Sequence, residues 1–180
     1  MAYRTVSYEA ATLLSSMIPI ELSALEYEKI QNITNAGEKA DIRRQTTQDW
    51  QTMCDSVSNA RWTHRLLLDV TNWIYKKHGM LNYHIIQVLT EHGNYLHKFR
   101  ITETQKYIIC ENPKDNAEHT IFECDAWTAK KRKLYEGLGE NRLPDNICRR
   151  MLSDKKSWEL ISDYMEHVMR TQINEEQKLQ

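Results

Sequence analysis

The sequence predicts a mainly α fold, with helical segments arranged around a small Cys/His knuckle-like turn. Three observations lead there. Glycine and proline are scarce, 5 and 3 in 180 residues, too few for a turn-rich β-sandwich. Apolar residues recur at i, i+3, i+4 and i+7 along much of the chain, the period of a helix with one buried face. Cys110, His119 and Cys124 are spaced C-x8-H-x4-C within YIICENPKDNAEHTIFEC, Tyr107 to Cys124, a pattern related to compact zinc knuckles. Hydrophobic residues at 41% can build a core, and the length suits one domain or two small ones.

The elements follow in order. Ser7 caps a short helix to Met17, with Ala10, Leu13, Leu14 and Met17 on one face. Pro19 opens a second helix, where its missing N–H costs nothing; Leu22, Leu25, Ile30 and Ile33 are its apolar residues. Asn32 to Gln51 is polar and reads as a long exposed helix, weakened at Gly37, that needs outside support. Asn59 to Gly79 reads as one helix with Leu66, Val70, Trp73 and Ile74 inward, Lys76, Lys77 and His78 in its last turn, and Gly79 closing it. Leu81 to Gly93 repeats the pattern with Ile85, Val88 and Leu89 inward, and Tyr95–Phe99 adds a turn. KYIIC, ending at Cys110, is the one strand-like run. Asp125 caps a helix that Gly139 ends, with Trp127, Leu134 and Leu138 on its apolar side and Lys130 to Lys133 on the other. Leu143–Leu152 is a short helix. Ser153 then caps a long one through Trp158, Ile161, Met165, Val168 and Met169, and the tail from Asn174 frays. These elements group as a connector (1–58), a basic helical block (59–100), a Cys/His segment (101–128) and C-terminal helices (129–180).

The net charge of −1 conceals alternation: residues 1–60 sum to −3, 61–100 to +4, 101–124 to −3, 125–156 to +4 and 157–180 to −3. Two basic blocks are an electrostatic footprint for phosphates if they meet on one face; ordinary solvated helix faces account for them as well. No run approaches the roughly 18 apolar residues of a membrane span, so no membrane partner is expected. MAYRTVSYEAATLL lacks the plan of a secretory leader, and four cysteines without one point to a reducing compartment, where Cys with His reads as metal or packing before disulfide.

Zinc takes four ligands in a structural site, and the segment supplies three: Cys110, His119 and Cys124. A Cys three residues before Cys110 would complete a knuckle, but Tyr107 stands there. Glu103, Glu111, His97 and Cys148 remain as replacements, and buried thiols that merely pack are the alternative. No nucleophile elbow, Walker loop or H-E-x-x-H motif occurs, and no catalytic cluster is visible around His64, His78, His84, His92 or His97. Trp62, Trp73, Trp127 and Trp158 read as core anchors, with base-stacking as the second option.

Taken together, AYRTVSYEAATLLSSMIPIEL (Ala2–Leu22), RWTHRLLLDVTNWIYKKHGMLNYHIIQVLTEHG (Arg61–Gly93), YLHKF and AEHTIFEC (Ala117–Cys124) resemble the C-terminal segment of the Pol protein of non-LTR retrotransposons, type-1 elements of insect ribosomal DNA and their jockey-like relatives. Cys110, His119 and Cys124 match the family knuckle's second Cys, His and last Cys; Tyr107 replaces its first Cys, and Glu91 replaces a Gly of its TGHG run. The resemblance implies a parent RNA-directed DNA polymerase and endonuclease acting in the nucleus after cytoplasmic synthesis. Its polymerase carboxylates would lie upstream of Met1, so this fragment would have no polymerase or nuclease chemistry of its own. It also implies a region that holds template RNA or target DNA, with zinc as its cofactor and the upstream polymerase domain as a partner. Arg61, Arg65, Lys76, Lys77, Lys98 and Arg100 would contact phosphates, with Lys130, Lys131, Arg132 and Lys133 as a second set. The competing expectation is a structural helical module that packs on the polymerase thumb or on a second copy.

Overall fold

The computed structural model describes residues 6–91, 109–110, 116–139 and 145–178. It is mainly α, with no strand among the described residues. The helices are α1 (Tyr8–Ser15), α2 (Ile20–Ile30), α3 (Ala36–Ser56), α4 (Arg61–Leu66), α5 (Val70–Ile74), α6 (Tyr83–Leu89), α7 (Thr128–Leu138), α8 (Ile147–Ser153) and α9 (Lys155–Gln177). None of the described helices is long and apolar enough to cross a membrane. The chain forms two compact units, Met1–Lys76 and Lys77–Gln180; the division falls inside the 59–100 block.

In the first unit, Ser7 caps α1 as expected, its hydroxyl accepting from the Ala10 N–H. The helix stops earlier than the apolar pattern suggests. Ser16 adopts a left-handed conformation, φ 56°, and Met17 is left exposed. Pro19 precedes α2 as its N-cap residue. No residue of α2 is buried, although it packs along α3.

The polar α3 is only half the exposed rod its composition suggests. Asn35 caps it by accepting from the Gly37 N–H, so Gly37 belongs to the start of the helix rather than to a weak middle. Its second half buries Thr46, Thr47, Trp50 and Cys54. The two threonines can be buried because their hydroxyls donate to the Ile42 and Arg43 carbonyls.

The single helix expected from Asn59 to Gly79 is two short ones. The first ends at Leu66, and Asp69 caps α5, accepting from the Asn72 N–H. The Val70 N–H, left over by the break, donates to Gln51 of α3 at 2.9 Å. Trp73 closes the core of this unit by donating its indole N–H to the Leu13 carbonyl at 2.9 Å. His64 is buried, and burial pushes its pKa below the usual imidazole value.

The second unit is built on α9. Trp158, Ile161, Met165, Val168 and Met169 are all buried, as the spacing predicts, against α6, α7 and α8. Burying each such side chain contributes about 1.5–3 kcal/mol. The α9 cap is Asp154 rather than Ser153: its carboxylate accepts from the Ser157 N–H and hydroxyl. Those hydrogen bonds, with one from Ser153, hold its pKa down at about 2. At its other end α9 continues to Gln177, through most of the tail expected to fray. Helix α6 keeps the predicted inward residues Ile85, Val88 and Leu89, but ends before Gly93, with Glu91 left-handed at φ 57°. Gly139 ends α7 as predicted, while Asp125 lies in a 3-10 turn (Asp125–Trp127) ahead of it. The Tyr95–Phe99 turn and most of the strand-like KYIIC run lie outside the described residues.

Gly79 is tightly enclosed. Its φ is +85°, and a Cβ there would overlap the Trp158 indole. Gly79→Ala is expected to destabilise the second unit by about 2–4 kcal/mol, combining left-handed strain with overpacking. A lowered urea midpoint with an unchanged slope would show it; an unmoved midpoint would refute the packing.

Candidate metal centre

Cys110, His119 and Cys124 converge. Their ligand atoms all lie within 4.8 Å of one another, and His119 Nε2 is 3.1 Å from Cys110 Sγ. Cys110 lies in a turn and is half-buried, while His119 and Cys124 are buried.

The local backbone explains how H-x4-C brings two ligands together. In an α-helix, residues five apart point about 140° away from each other. Here His119–Glu123 forms a wider π turn, in which the Cys124 N–H donates to the His119 carbonyl at 2.8 Å. Asn116 fixes the start of the segment: its side chain accepts from the His119 N–H at 2.8 Å and its carbonyl from the Thr120 N–H. The end is held from outside. Tyr164 of α9 donates its hydroxyl to the Ile121 carbonyl at 2.6 Å, and Lys131 of α7 donates to the Phe122 carbonyl at 3.1 Å.

Burial, with the neighbouring Cys110, pushes the Cys124 thiol up to about 11 against the opposing Ala126 N–H and Lys131 charge. An apo site of this kind holds protons that a metal would displace. His119 Nδ1 lies 3.8 Å from a Glu123 carboxylate oxygen, the side from which metal-bound imidazoles are commonly oriented. Tetrahedral zinc with these donors needs ligand atoms about 3.3–3.8 Å apart, so the group can hold a metal ion with small adjustments. Cys148 does not join the cluster; its thiol is buried elsewhere, and burial raises its pKa. Tyr107, His97, Glu103 and Glu111 lie outside the described residues.

The basic residues are placed unevenly. Arg61 and Lys77 are exposed. Arg65 is exposed with its guanidinium 5.7 Å from the centre of the Trp62 ring. Lys76 is half-buried: its ammonium lies 4.6 Å from the centre of the Trp73 ring and donates to the Ser16 hydroxyl at 3.2 Å, and burial lowers its pKa. Lys130, Arg132 and Lys133 project from α7, with Arg132 3.9 Å from Glu136, whereas Lys131 is engaged at the Phe122 carbonyl. Lys98 and Arg100 lie outside the described residues. Trp62, Trp73, Trp127 and Trp158 are all buried, the core role expected of them. Sequence reasoning missed Asn116, Glu123 and Tyr164; only the i, i+4 spacing of His119 and Glu123 signalled any of these.

No family model matches the chain, and neither a curated protein nor a solved structure is significantly similar to it. Fold and site define a mainly helical protein with a Cys–His–Cys group able to hold a metal ion.

Tyr164→Phe leaves the buried Ile121 carbonyl without that donor. It is expected to cost about 1–3 kcal/mol of stability and to loosen the π turn. Amide exchange at Cys124 is the readout; unchanged protection there would show that the hydroxyl does not hold the turn.

Proposed function

We propose that the chain is a nucleic-acid-binding C-terminal region of a non-LTR retrotransposon Pol protein, which helps hold template RNA or target DNA while an upstream polymerase domain copies. The observation that carries this reading is the convergence of Cys110, His119 and Cys124 immediately before α7. Three residues of a knuckle-like pattern come together, and the helix that follows projects Lys130, Arg132 and Lys133. The order of sequence blocks that resemble the family supports it. Binding is electrostatic: these cations, with Arg61, Arg65 and Lys77, displace counterions from phosphates. Lys76 and Lys131 act from within the fold.

Zinc is the metal that fits two thiolates and an imidazole best. Cys110, His119 and Cys124 would hold it, and it would supply a rigid cross-link between the turn at Cys110 and the π turn. With Tyr107 in the first knuckle position, the fourth ligand comes from outside the described residues or from solvent, and affinity falls below that of a four-ligand knuckle. Zinc measured per chain in metal-free buffer is expected to be near one and to be lost in Cys110→Ser. No zinc in either protein would leave only packed thiols.

A second reading has its own observation. Helix α2 buries no residue and exposes Ile20 and Tyr27 at 69% and 68%, which suits a structural module docked on the polymerase thumb or on a second copy. Titrating RNA and DNA against salt separates the two. The nucleic-acid reading expects log K to fall with log salt by about 0.7–0.9 per phosphate contact, and a Lys130→Ala/Lys133→Ala double variant to reduce that slope by about 1–2. Negligible or salt-insensitive binding would favour the structural module.

A further inference from the structure

We propose that Cys110 and Cys124 form a peroxide-reactive thiol pair, with Cys110 as the attacked residue and Cys124 as the resolving one. This goes beyond the nucleic-acid reading and does not need it; it shares residues with the zinc site but stands without a metal. Three observations carry it. The two sulfurs lie within 4.8 Å of each other, so the gap to a disulfide of about 2.05 Å is short. Cys110 lies in a turn and is half-buried, while Cys124 is fully buried, so a small oxidant meets Cys110 first. Cys110 Sγ is also held 3.1 Å from the His119 ring, which fixes its position beside Cys124.

The other thiols are poor competitors. Cys54 and Cys148 are buried and stand apart from this cluster. Burial, then the charges of Asp55 and Glu9, push Cys54 up to about 11, and burial raises Cys148 as well. What sets the pair apart is geometry: Cys54 and Cys148 are buried away from the cluster, whereas Cys124 has half-buried Cys110 beside it.

The chemistry takes two steps with a hydroperoxide as oxidant. Cys110 Sγ attacks the peroxide oxygen and the O–O bond breaks. The sulfur is oxidised to a sulfenic acid, and the peroxide is reduced to water, which takes up the thiol proton. Cys124 Sγ then attacks the Cys110 sulfur. The S–O bond breaks, an S–S bond forms, and hydroxide leaves as water with the Cys124 proton. In sum, two thiols and one hydrogen peroxide give one disulfide and two waters. The disulfide removes both sulfur ligands, so oxidation and metal binding exclude each other.

The test uses the full chain, stripped of metal by a chelator and treated with a small excess of hydrogen peroxide. Alkylation and peptide mass mapping follow. Two of the four thiols are expected to disappear, with loss of two hydrogens and a cross-link joining the Cys110 and Cys124 peptides. In Cys124→Ser, Cys110 is expected to stop at a sulfenic acid that a cyclic 1,3-diketone captures. The wild-type map needs no variant, so a misfolded variant cannot rescue or sink the idea alone. Four surviving thiols would overturn it, as would a cross-link through Cys54 or Cys148, or separate over-oxidation of Cys110 and Cys124. Zinc added beforehand is expected to slow thiol loss by about tenfold or more. Cross-linking that zinc does not slow would sink the zinc reading and leave the thiol pair standing.

Discussion

The hydrogen bond from the Tyr164 hydroxyl to the Ile121 carbonyl, 2.6 Å long and buried, is the constraint on which the Cys/His segment depends. A π turn widens the backbone so that residues five apart can approach each other, but it ends with carbonyls that no following turn accepts. Ile121 and Phe122 are those carbonyls. One is satisfied from α9 and the other by Lys131 of α7. Without these two donors the turn would gain by tightening to α geometry, and His119 and Cys124 would swing apart. The ligand geometry is therefore held from both sides, by Asn116 within the segment and by the helical core through Tyr164 and Lys131.

That arrangement explains what the sequence could and could not reveal. The α9 stripe from Trp158 to Met169 was legible because burial and spacing coincide on one element. The three ligands were legible because Cys and His are few and closely spaced. The break at Asp69 was hidden because Leu66, Val70 and Trp73 keep a helical period across it. What makes the break tolerable is Gln51, nineteen residues away, which takes the stranded Val70 N–H. Trp50 was hidden for a related reason: its neighbours on the buried face are threonines, whose hydroxyls are satisfied locally and so look polar in composition. In each case a non-local or side-chain-to-backbone bond overrode the local pattern. Tyr164 is the same kind of residue, a partner to a carbonyl forty-three positions back.

Charge counting has the same blind spot. Sequence blocks of +4 treat every Lys and Arg alike, yet Lys76 lies against Trp73 with a lowered pKa and Lys131 closes a turn. A cation already paired with an aromatic face or a carbonyl releases few counterions to a phosphate. Among the described residues, the positive charge offered to solvent is therefore smaller than the composition suggests, and exposed residues such as Arg61, Lys130 and Lys133 carry it.

The same engagement gives the engaged cations a different function. Burial raises the Cys124 thiol's pKa and the nearby Lys131 charge offsets only part of that rise; Lys131 also fixes the turn that carries His119 through the Phe122 carbonyl. One lysine thus ties α7 to the Cys/His segment. Its neighbours Lys130, Arg132 and Lys133 share its helix and face solvent.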